Sequence, residues 1–250
     1  MSTTSLYWLG TGSGMNADLG NTSFLVDAGG PRTLMVDCGI TVPYKLKKLG
    51  WLDRPTDIVL THAHSDHIGG LELLALHTHF VRPRRGNDRP TLHVATDAFA
   101  HNLWEHSLKG GIGTDTDDQG GPVEATLETF FQGRVGKEVR IEGLPAVTFV
   151  PTPHVINLEN YALRFSNGVF FSGDTTELPP HDPAIIFQDC EFEGPPTGAV
   201  HIGFDRLKRE LPPAVKTKTY LVHLGEGYER FNPFEHGFAG FVRPDQSFEI

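Results

Sequence analysis

The chain has 250 residues, and 38% of them are hydrophobic, which is enough apolar material for the core of one domain covering residues 1–250. Lys and Arg total 21 against 31 Asp and Glu, and this net charge of −10 disfavours proteins that hold long nucleic acid along a basic surface. No signal peptide or long apolar span is visible, and two cysteines cannot build a disulfide framework. We therefore expect a cytoplasmic protein that makes no contact with a membrane.

The first predicted elements are three strands, with a glycine-rich segment between the first and the second. A strand at residues 5–9 leads into Gly10-Thr11-Gly12-Ser13-Gly14, which superficially resembles a phosphate-binding loop. Residues 22–27 and 33–37 then predict a strand, a turn and another strand, rather than a helix that begins at the glycines. Dinucleotide binding needs that helix, so this function is disfavoured.

The rest of the chain mixes predicted helices and strands. Helices are predicted at residues 46–51, 68–76, 97–108, 123–131 and 204–211. Strands are predicted at residues 58–60, 91–95, 137–141, 147–150, 161–165, 169–171, 184–187 and 219–224. Thr96 or Asp97 is expected to cap the third helix, and residues 110–121 are expected to form a loop. This order favours sheets covered by helices in one α/β domain.

The most informative segment is residues 61–67, which read Thr-His-Ala-His-Ser-Asp-His. His62, His64, Asp66 and His67 follow an apolar strand directly, so they lie on the loop that leaves its carboxyl end. Imidazole nitrogen is a preferred ligand of zinc and similar cations, and aspartate adds a carboxylate oxygen. The spacing therefore predicts ligands for two neighbouring metal ions.

Three further apolar strands deliver residues of the same kind at their carboxyl ends. They lead to His154, Asp174 and His223. A lone histidine after a strand is more often an ordinary polar residue than a ligand. Three such placements beside the histidine-rich loop are difficult to attribute to chance, and they indicate one metal centre.

This pattern resembles the metallo-β-lactamase superfamily over residues 6–224, including Val36-Asp37-Cys38-Gly39, which is similar to the first motif of that family. The resemblance implies an α/β fold of four layers, an αββα sandwich. Asp37 would orient the histidine-rich loop. Two zinc ions are favoured, with manganese or iron as alternatives. By this resemblance the first metal is held by His62, His64 and His154, the second by Asp66, His67 and His223, and Asp174 bridges the two.

Beyond Asp174 the chain is similar to the phosphodiesterase branch of that superfamily, which includes the tRNA 3′-processing enzyme RNase Z. The resemblance implies that His201 contacts the scissile phosphate and protonates the leaving oxygen, with Asp189 orienting it. Asp66 would take up the proton of the attacking water while remaining a ligand. The chain has Gln188-Asp189-Cys190-Glu191 where RNase Z normally has His-Glu-Ala-Thr, and this departure affects the assignment of Asp189 more than that of His201.

RNase Z also carries a long tRNA-grasping arm between the positions that correspond to His154 and Asp174, whereas only a hairpin fits between them here. The closer resemblance is to compact members that hydrolyse small cyclic phosphodiesters, among them the anti-Pycsar cyclic-nucleotide phosphodiesterases, to which residues 104–111 are similar. We therefore expect a dinuclear-metal phosphodiesterase that converts a small anionic substrate, a 3′,5′-cyclic nucleotide, to the linear monophosphate. A homodimer is compatible with this prediction.

Three other functions stay open. The first is a tRNA 3′ endonuclease of the RNase Z type, and the second is a lactonase or β-lactamase, whose substrate needs no leaving-group acid at His201. The third is a binding protein without catalysis, which the unbroken set of seven candidate ligands disfavours. The expected stacking partners of a nucleobase are Tyr7, Phe80, Trp104 and Phe231, among which the sequence does not decide.

Overall fold

The computed structural model describes residues 3–81, 89–117, 119–192 and 199–250. Its frame is a pair of seven-stranded sheets. The first sheet contains β1 (Ser5–Gly10), β2 (Ser23–Asp27), β3 (Thr33–Val36), β4 (Asp57–Val59), β5 (Thr91–Val94), β8 (Gln132–Val135) and β16 (Ser247–Glu249). Its strand order is β16-β1-β2-β3-β4-β5-β8, and the run from β3 to β8 is parallel.

The second sheet contains β9 (Glu138–Val139), β10 (Val147–Pro151), β11 (Tyr161–Phe165), β12 (Val169–Phe171), β13 (Ile185–Asp189), β14 (Thr219–Val222) and β15 (Gly240–Phe241). Its order is β15-β14-β13-β12-β11-β10-β9, and the run from β12 to β15 is parallel. A separate two-stranded hairpin consists of β6 (Thr114–Thr116) and β7 (Pro122–Glu124). Because parallel strands end at one edge, each large sheet can deliver several side chains to one place.

Helices cover the outer faces of both sheets. They are α1 (Val42–Leu49), α2 (Ser65–Ile68), α3 (Leu71–Phe80), α4 (Asp97–Leu103), α5 (Lys109–Ile112), α6 (Leu127–Phe130), α7 (Phe204–Glu210) and α8 (Pro213–Lys216). On α7, Phe204 and Leu207 lie one turn apart and pack with Ile186 and Leu221 of the second sheet, because an amphipathic helix buries its apolar stripe. Within the described ranges, no helix is long and apolar enough to cross a membrane.

Aromatic side chains fill the space between the two sheets. The ring of Trp8, from the first sheet, lies 5.0 Å from that of Phe187 in the second, and Phe24 lies 5.3 Å from Phe171. All four side chains are almost completely buried. Two sheets packed on one another with helices outside give the predicted αββα sandwich.

The structure corrects two predicted elements. Residues 123–131 are not one helix, because the segment up to Glu124 pairs with Thr114–Thr116 in the small hairpin and only Leu127–Phe130 is helical. The predicted loop at 110–121 begins with helix α5, which follows α4 through a π-helical turn at Trp104–Leu108. Gly111 lies so close to α3 that a Cβ would stand 2.3 Å from Glu72 Oε1. A glycine at this position therefore permits close packing of two helices and does not end a helix. Thr96 caps α4 as expected, accepting a hydrogen bond from the amide of Phe99.

Candidate metal centre

The histidine-rich loop leaves β4 and turns at once into the short helix α2. His64 has an extended backbone and precedes the first residue of α2, so Asp66 and His67 stand on its first turn. This change from extended to helical backbone brings the side chains of the loop to one side. His62 Nε2 consequently lies 3.0 Å from His64 Nδ1.

Asp37 holds this loop in place through hydrogen bonds. Its Oδ1 accepts from the amide of Thr61 at 2.8 Å, and its Oδ2 accepts from Thr61 Oγ1 and from His67 Nδ1, both at 2.8 Å. With Nδ1 engaged as a donor, the neutral form of His67 has its lone pair on Nε2. That atom is buried and has no hydrogen-bond partner among the described residues. A buried nitrogen left in this way is suited to bind a cation.

The second sheet brings three further side chains to the same place. His154 follows β10, and its Nδ1 donates to the carbonyl of Val200 at 2.6 Å, while its Nε2 lies 3.1 Å from His64 Nδ1 in the centre. Asp174 follows β12, and the Nδ2 of Asn160 donates to its backbone carbonyl at 2.6 Å. His223 follows β14 with a φ of 58°, a left-handed conformation that is unusual for histidine.

Three groups of four donor side chains share the Asp174 carboxylate. The first group is His62, His64, His154 and Asp174, and the second is Asp66, His67, His223 and Asp174. The third overlaps the second and consists of Asp174, Asp189, His201 and His223. In the first group, Asp174 Oδ2 lies 3.6 Å from His62 Nε2 and 3.7 Å from His154 Nε2. In the second, His67 Nε2 lies 3.4 Å from Asp174 Oδ1, and His223 Nε2 lies 3.3 Å from Asp66 Oδ2.

These separations fit tetrahedral coordination. Zinc–nitrogen and zinc–oxygen bonds of about 2.0–2.2 Å place neighbouring ligand atoms roughly 3.3–3.6 Å apart. The observed contacts between donors in different elements fall in or close to this range, and nitrogen and oxygen donors are the chemistry that zinc accepts. The seven side chains predicted from the sequence therefore come together as two adjoining sites able to hold metal ions.

The electrostatics of the centre also suit cations. Burial raises the pKa of Asp174, but the adjacent His223 and His67 outweigh it and hold that pKa well below its usual range. Burial lowers the pKa of His62, which favours the neutral ligand form. For His67, burial also lowers the pKa, yet the charge of Asp174 prevails and raises it well above the usual value. A cation must displace that proton, so we expect metal binding to release protons.

His201 and Asp189 form a pair beside the second group. The Oδ2 of the buried Asp189 accepts from His201 Nδ1 at 2.8 Å and from the amide of Thr175 at 2.9 Å, while its Oδ1 lies 3.3 Å from His223 Nδ1. The His201 ring stacks on that of His223, with centroids 4.9 Å apart. Burial lowers the pKa of His201, but the charge of Asp189 and its hydrogen bond outweigh burial and raise it. The pair therefore holds an imidazole with a fixed tautomer next to the centre.

A cavity of about 490 Å³ opens onto these residues. Its lining includes ligand candidates from both sheets, together with His201 and Phe192. None of the four aromatic residues expected to stack on a base lines this cavity. Trp104 is buried in the core, and the Tyr7 hydroxyl donates to Asp245. Phe80 is the last residue of α3, and Phe231 packs against Phe192. The segment 104–111 likewise lies outside the cavity lining.

Several supporting residues gave no signal in the sequence. Asn16 is buried, and its Nδ2 donates to the carbonyls of Leu224 and Gly225 at 3.0 and 3.2 Å, next to His223. Asn160 supports Asp174 in the same way. A lone asparagine carries no recognisable spacing, and only its position in the fold shows these contacts. In the structure, the glycine-rich segment 10–14 that precedes Asn16 pairs with Leu224 through Gly12.

The fold and this centre define the class, a metallo-β-lactamase-fold hydrolase. The metallo-β-lactamase fold protein YhfI from Bacillus subtilis superposes with a TM-score of 0.74, covering 99% of this chain and 100% of its own, at 16% identity. The family described as Anti-Pycsar protein Apyc1 matches residues 4–248. Two members are similar over most of their length, one from Bacillus phage 010DV004 (35% identical, 92% of each chain) and one from Paenibacillus harenae (33%, 97% and 98%).

The chain belongs to the Anti-Pycsar protein Apyc1 family. This membership confirms the fold, the class of metal-dependent phosphodiesterase and the cyclic-nucleotide function predicted from the sequence.

Proposed function

We propose that the centre holds two zinc ions per chain, one in the first group of four donors and one in the second, with Asp174 shared between them. The shared carboxylate carries this assignment, because its two oxygens lie at 3.4–3.7 Å from histidine nitrogens of both groups. Bound dications would supply a water nucleophile that is active near neutral pH and would offset the charge that develops on the phosphoryl oxygens. Manganese and iron are the alternative ions.

His201 acts as the general acid in this proposal. Water attacks phosphorus in line, and the bond from phosphorus to the ribose oxygen breaks. Nε2–H of His201 gives its proton to the departing oxygen, while Asp189 holds Nδ1 and so fixes the ring. Asp66 accepts a proton from the attacking water. The product is the linear nucleoside monophosphate.

The geometry favours a small substrate over tRNA. The chain between His154 and Asp174 forms only the β11–β12 hairpin and its connection to β10, so no arm extends there. None of the described residues that line the cavity is Lys or Arg. A folded RNA would have few cationic partners on this wall, whereas one phosphodiester can bind at the centre itself.

The test is a His201→Ala variant assayed on two classes of substrate. Elemental analysis should find two equivalents of metal in both the parent and the variant, because His201 is not placed among the seven ligands. Turnover of cyclic nucleotides should fall about 10²- to 10⁴-fold. The loss should be much smaller for bis-p-nitrophenyl phosphate, whose leaving group needs little protonation.

Equal losses of turnover on both substrates would indicate that His201 positions the phosphate and does not act as the general acid. A panel of cyclic nucleotides, pre-tRNA, lactones and β-lactams on the same preparation separates the alternatives. Efficient cleavage of pre-tRNA with intact cyclic nucleotides would overturn the proposed substrate.

A homodimer is proposed through the outer face of α3. Leu73, Leu76 and Phe80 recur at helical spacing and are 42%, 38% and 57% exposed, although they are large and apolar. A second copy of the chain can cover this face. Sedimentation equilibrium should give twice the chain mass, and Leu76→Glu should shift it to the monomer.

A further inference from the structure

The substrate cavity is unusual in its charge. Its acidic lining consists of Asp66, Asp174, Asp189, Glu191 and Glu226, and no Lys or Arg of the described chain joins them. Among the described residues that line the cavity, an anionic phosphate can therefore meet a full positive charge only on protonated histidine, besides any bound cations. The rest of the affinity for a nucleotide must come from groups that do not depend on positive charge.

Phe192 offers such a surface. Its half-buried ring lines the cavity and packs against three other aromatic rings. The centroids of Phe231, Phe204 and Phe241 lie 4.8, 5.1 and 5.5 Å from that of Phe192. A ring packed by three others has little rotational freedom left to lose, so a ligand that stacks on it pays a small entropic cost.

The backbone around Phe192 is also fixed at a useful distance from the centre. The amide of Glu191 donates to the carbonyl of Ile202 at 2.9 Å, and the amide of Phe204 donates to the carbonyl of Glu191 at 2.9 Å. Phe192 is three residues beyond Asp189, so the two Cα atoms are at most about 10 Å apart. In a cyclic mononucleotide one ribose separates the phosphate from the base, and such a ligand can span this interval.

We propose that Phe192 is the nucleobase-binding wall of the site: the base stacks on its ring while the cyclic phosphodiester lies at the metal centre. The inference rests on the proposed function and adds its recognition element. Stacking depends on a flat π-face rather than on particular hydrogen-bonding groups, so Phe192 selects for the presence of a base more than for its identity.

The experiment compares a cyclic nucleotide with 1-O-methylribose 3′,5′-cyclic phosphate, which has no base. In the parent enzyme the cyclic nucleotide should have the lower KM. Phe192→Leu keeps an apolar side chain on the cluster but removes the π-face. We expect this variant to raise the KM of the cyclic nucleotide about 5- to 150-fold and to leave that of the abasic analogue and both kcat values nearly unchanged. Phe192→Trp should restore the low KM.

Phe238→Leu is the matched control, because Phe238 is buried in the same cluster, 5.7 Å from Phe204, and does not line the cavity. It should lose stability without changing the ratio of the two KM values. A Phe192→Leu variant that changes both substrates equally, or neither, overturns the stacking proposal.

A binding measurement keeps this test separate from that of the proposed function. Calorimetric titration of the zinc-loaded protein with a nucleoside 5′-monophosphate and with ribose 5-phosphate reports stacking without turnover. The preference for the nucleotide should disappear in Phe192→Leu. If it persists, Phe192 does not bind the base, whatever the enzyme hydrolyses.

Discussion

The first sheet supplies four of the seven candidate ligands from one loop, whereas the second supplies three from three separate strands. In the first, a single carboxylate, Asp37, fixes Thr61 and His67 together. In the second, each ligand has its own distant support: Val200 for His154, Asn160 for Asp174, and Asp189 with Asn16 for the region of His223. The first half of the centre is thus a local unit with one anchor, and the second is assembled by the fold.

Removing the carboxylate that both donor groups share should have the largest effect. Asp174→Asn keeps the shape of the side chain but removes its negative charge. It also places an NH₂ group, which cannot bind a cation, against one of the two donor groups. Metal content should fall below one equivalent per chain by elemental analysis, and activity should fall about 10³-fold or more, since charge stabilisation by the metals is worth several kcal/mol. Two retained equivalents with full activity would show that Asp174 does not bridge.

Removing the anchor of the first half should have an intermediate effect. Asp37 has a φ of 57°, which asparagine tolerates, so Asp37→Asn tests chemistry rather than backbone strain. Its amide cannot accept every hydrogen bond that the carboxylate accepts, so His67 loses its fixed tautomer. Zinc affinity, measured by titration of chelator-treated protein, should fall about 10- to 100-fold. An unchanged affinity would mean that the histidine loop holds its shape unaided.

A single support of the second half should matter least. Asn16→Ala removes two hydrogen bonds to the segment after His223, whose left-handed backbone needs surrounding contacts to persist. We expect about a 10-fold loss of zinc affinity at one site of the two, with the other unaffected.

Thr22→Val is the control for Asn16→Ala. The Thr22 hydroxyl donates to the carbonyl of Gly12 at 3.0 Å, in the same glycine-rich segment, whereas the Asn16 amide donates to Leu224 and Gly225. Thr22→Val should leave the zinc affinities of both sites unchanged. Equal losses in the two variants would assign the effect to general loosening of the loop.

The residues that are predictable from the sequence follow the same division. The histidine loop was recognisable because its residues are adjacent, and His154, Asp174 and His223 were recognisable because each ends an apolar strand. The segment 123–131 was misread because its helical pattern is short and the pairing of β7 with Thr114–Thr116 overrides local preference. Phe192 follows Asp189 closely in the sequence, but no local pattern distinguishes its side chain from the other phenylalanines, and only the packing of the fold shows that its ring lines the cavity.

The sequence by itself determined the candidate chemistry of this protein: the types of the candidate metal-binding side chains, the strands that carry them, and the acid candidate His201. Local patterns reveal these features because strand periodicity and ligand spacing are short-range properties. The tertiary structure alone decided which atoms face the cavity, which carbonyls hold each imidazole in place, and that Phe192 rather than Tyr7 or Trp104 lines the substrate site. These depend on how two sheets pack against each other, which no window of neighbouring residues encodes.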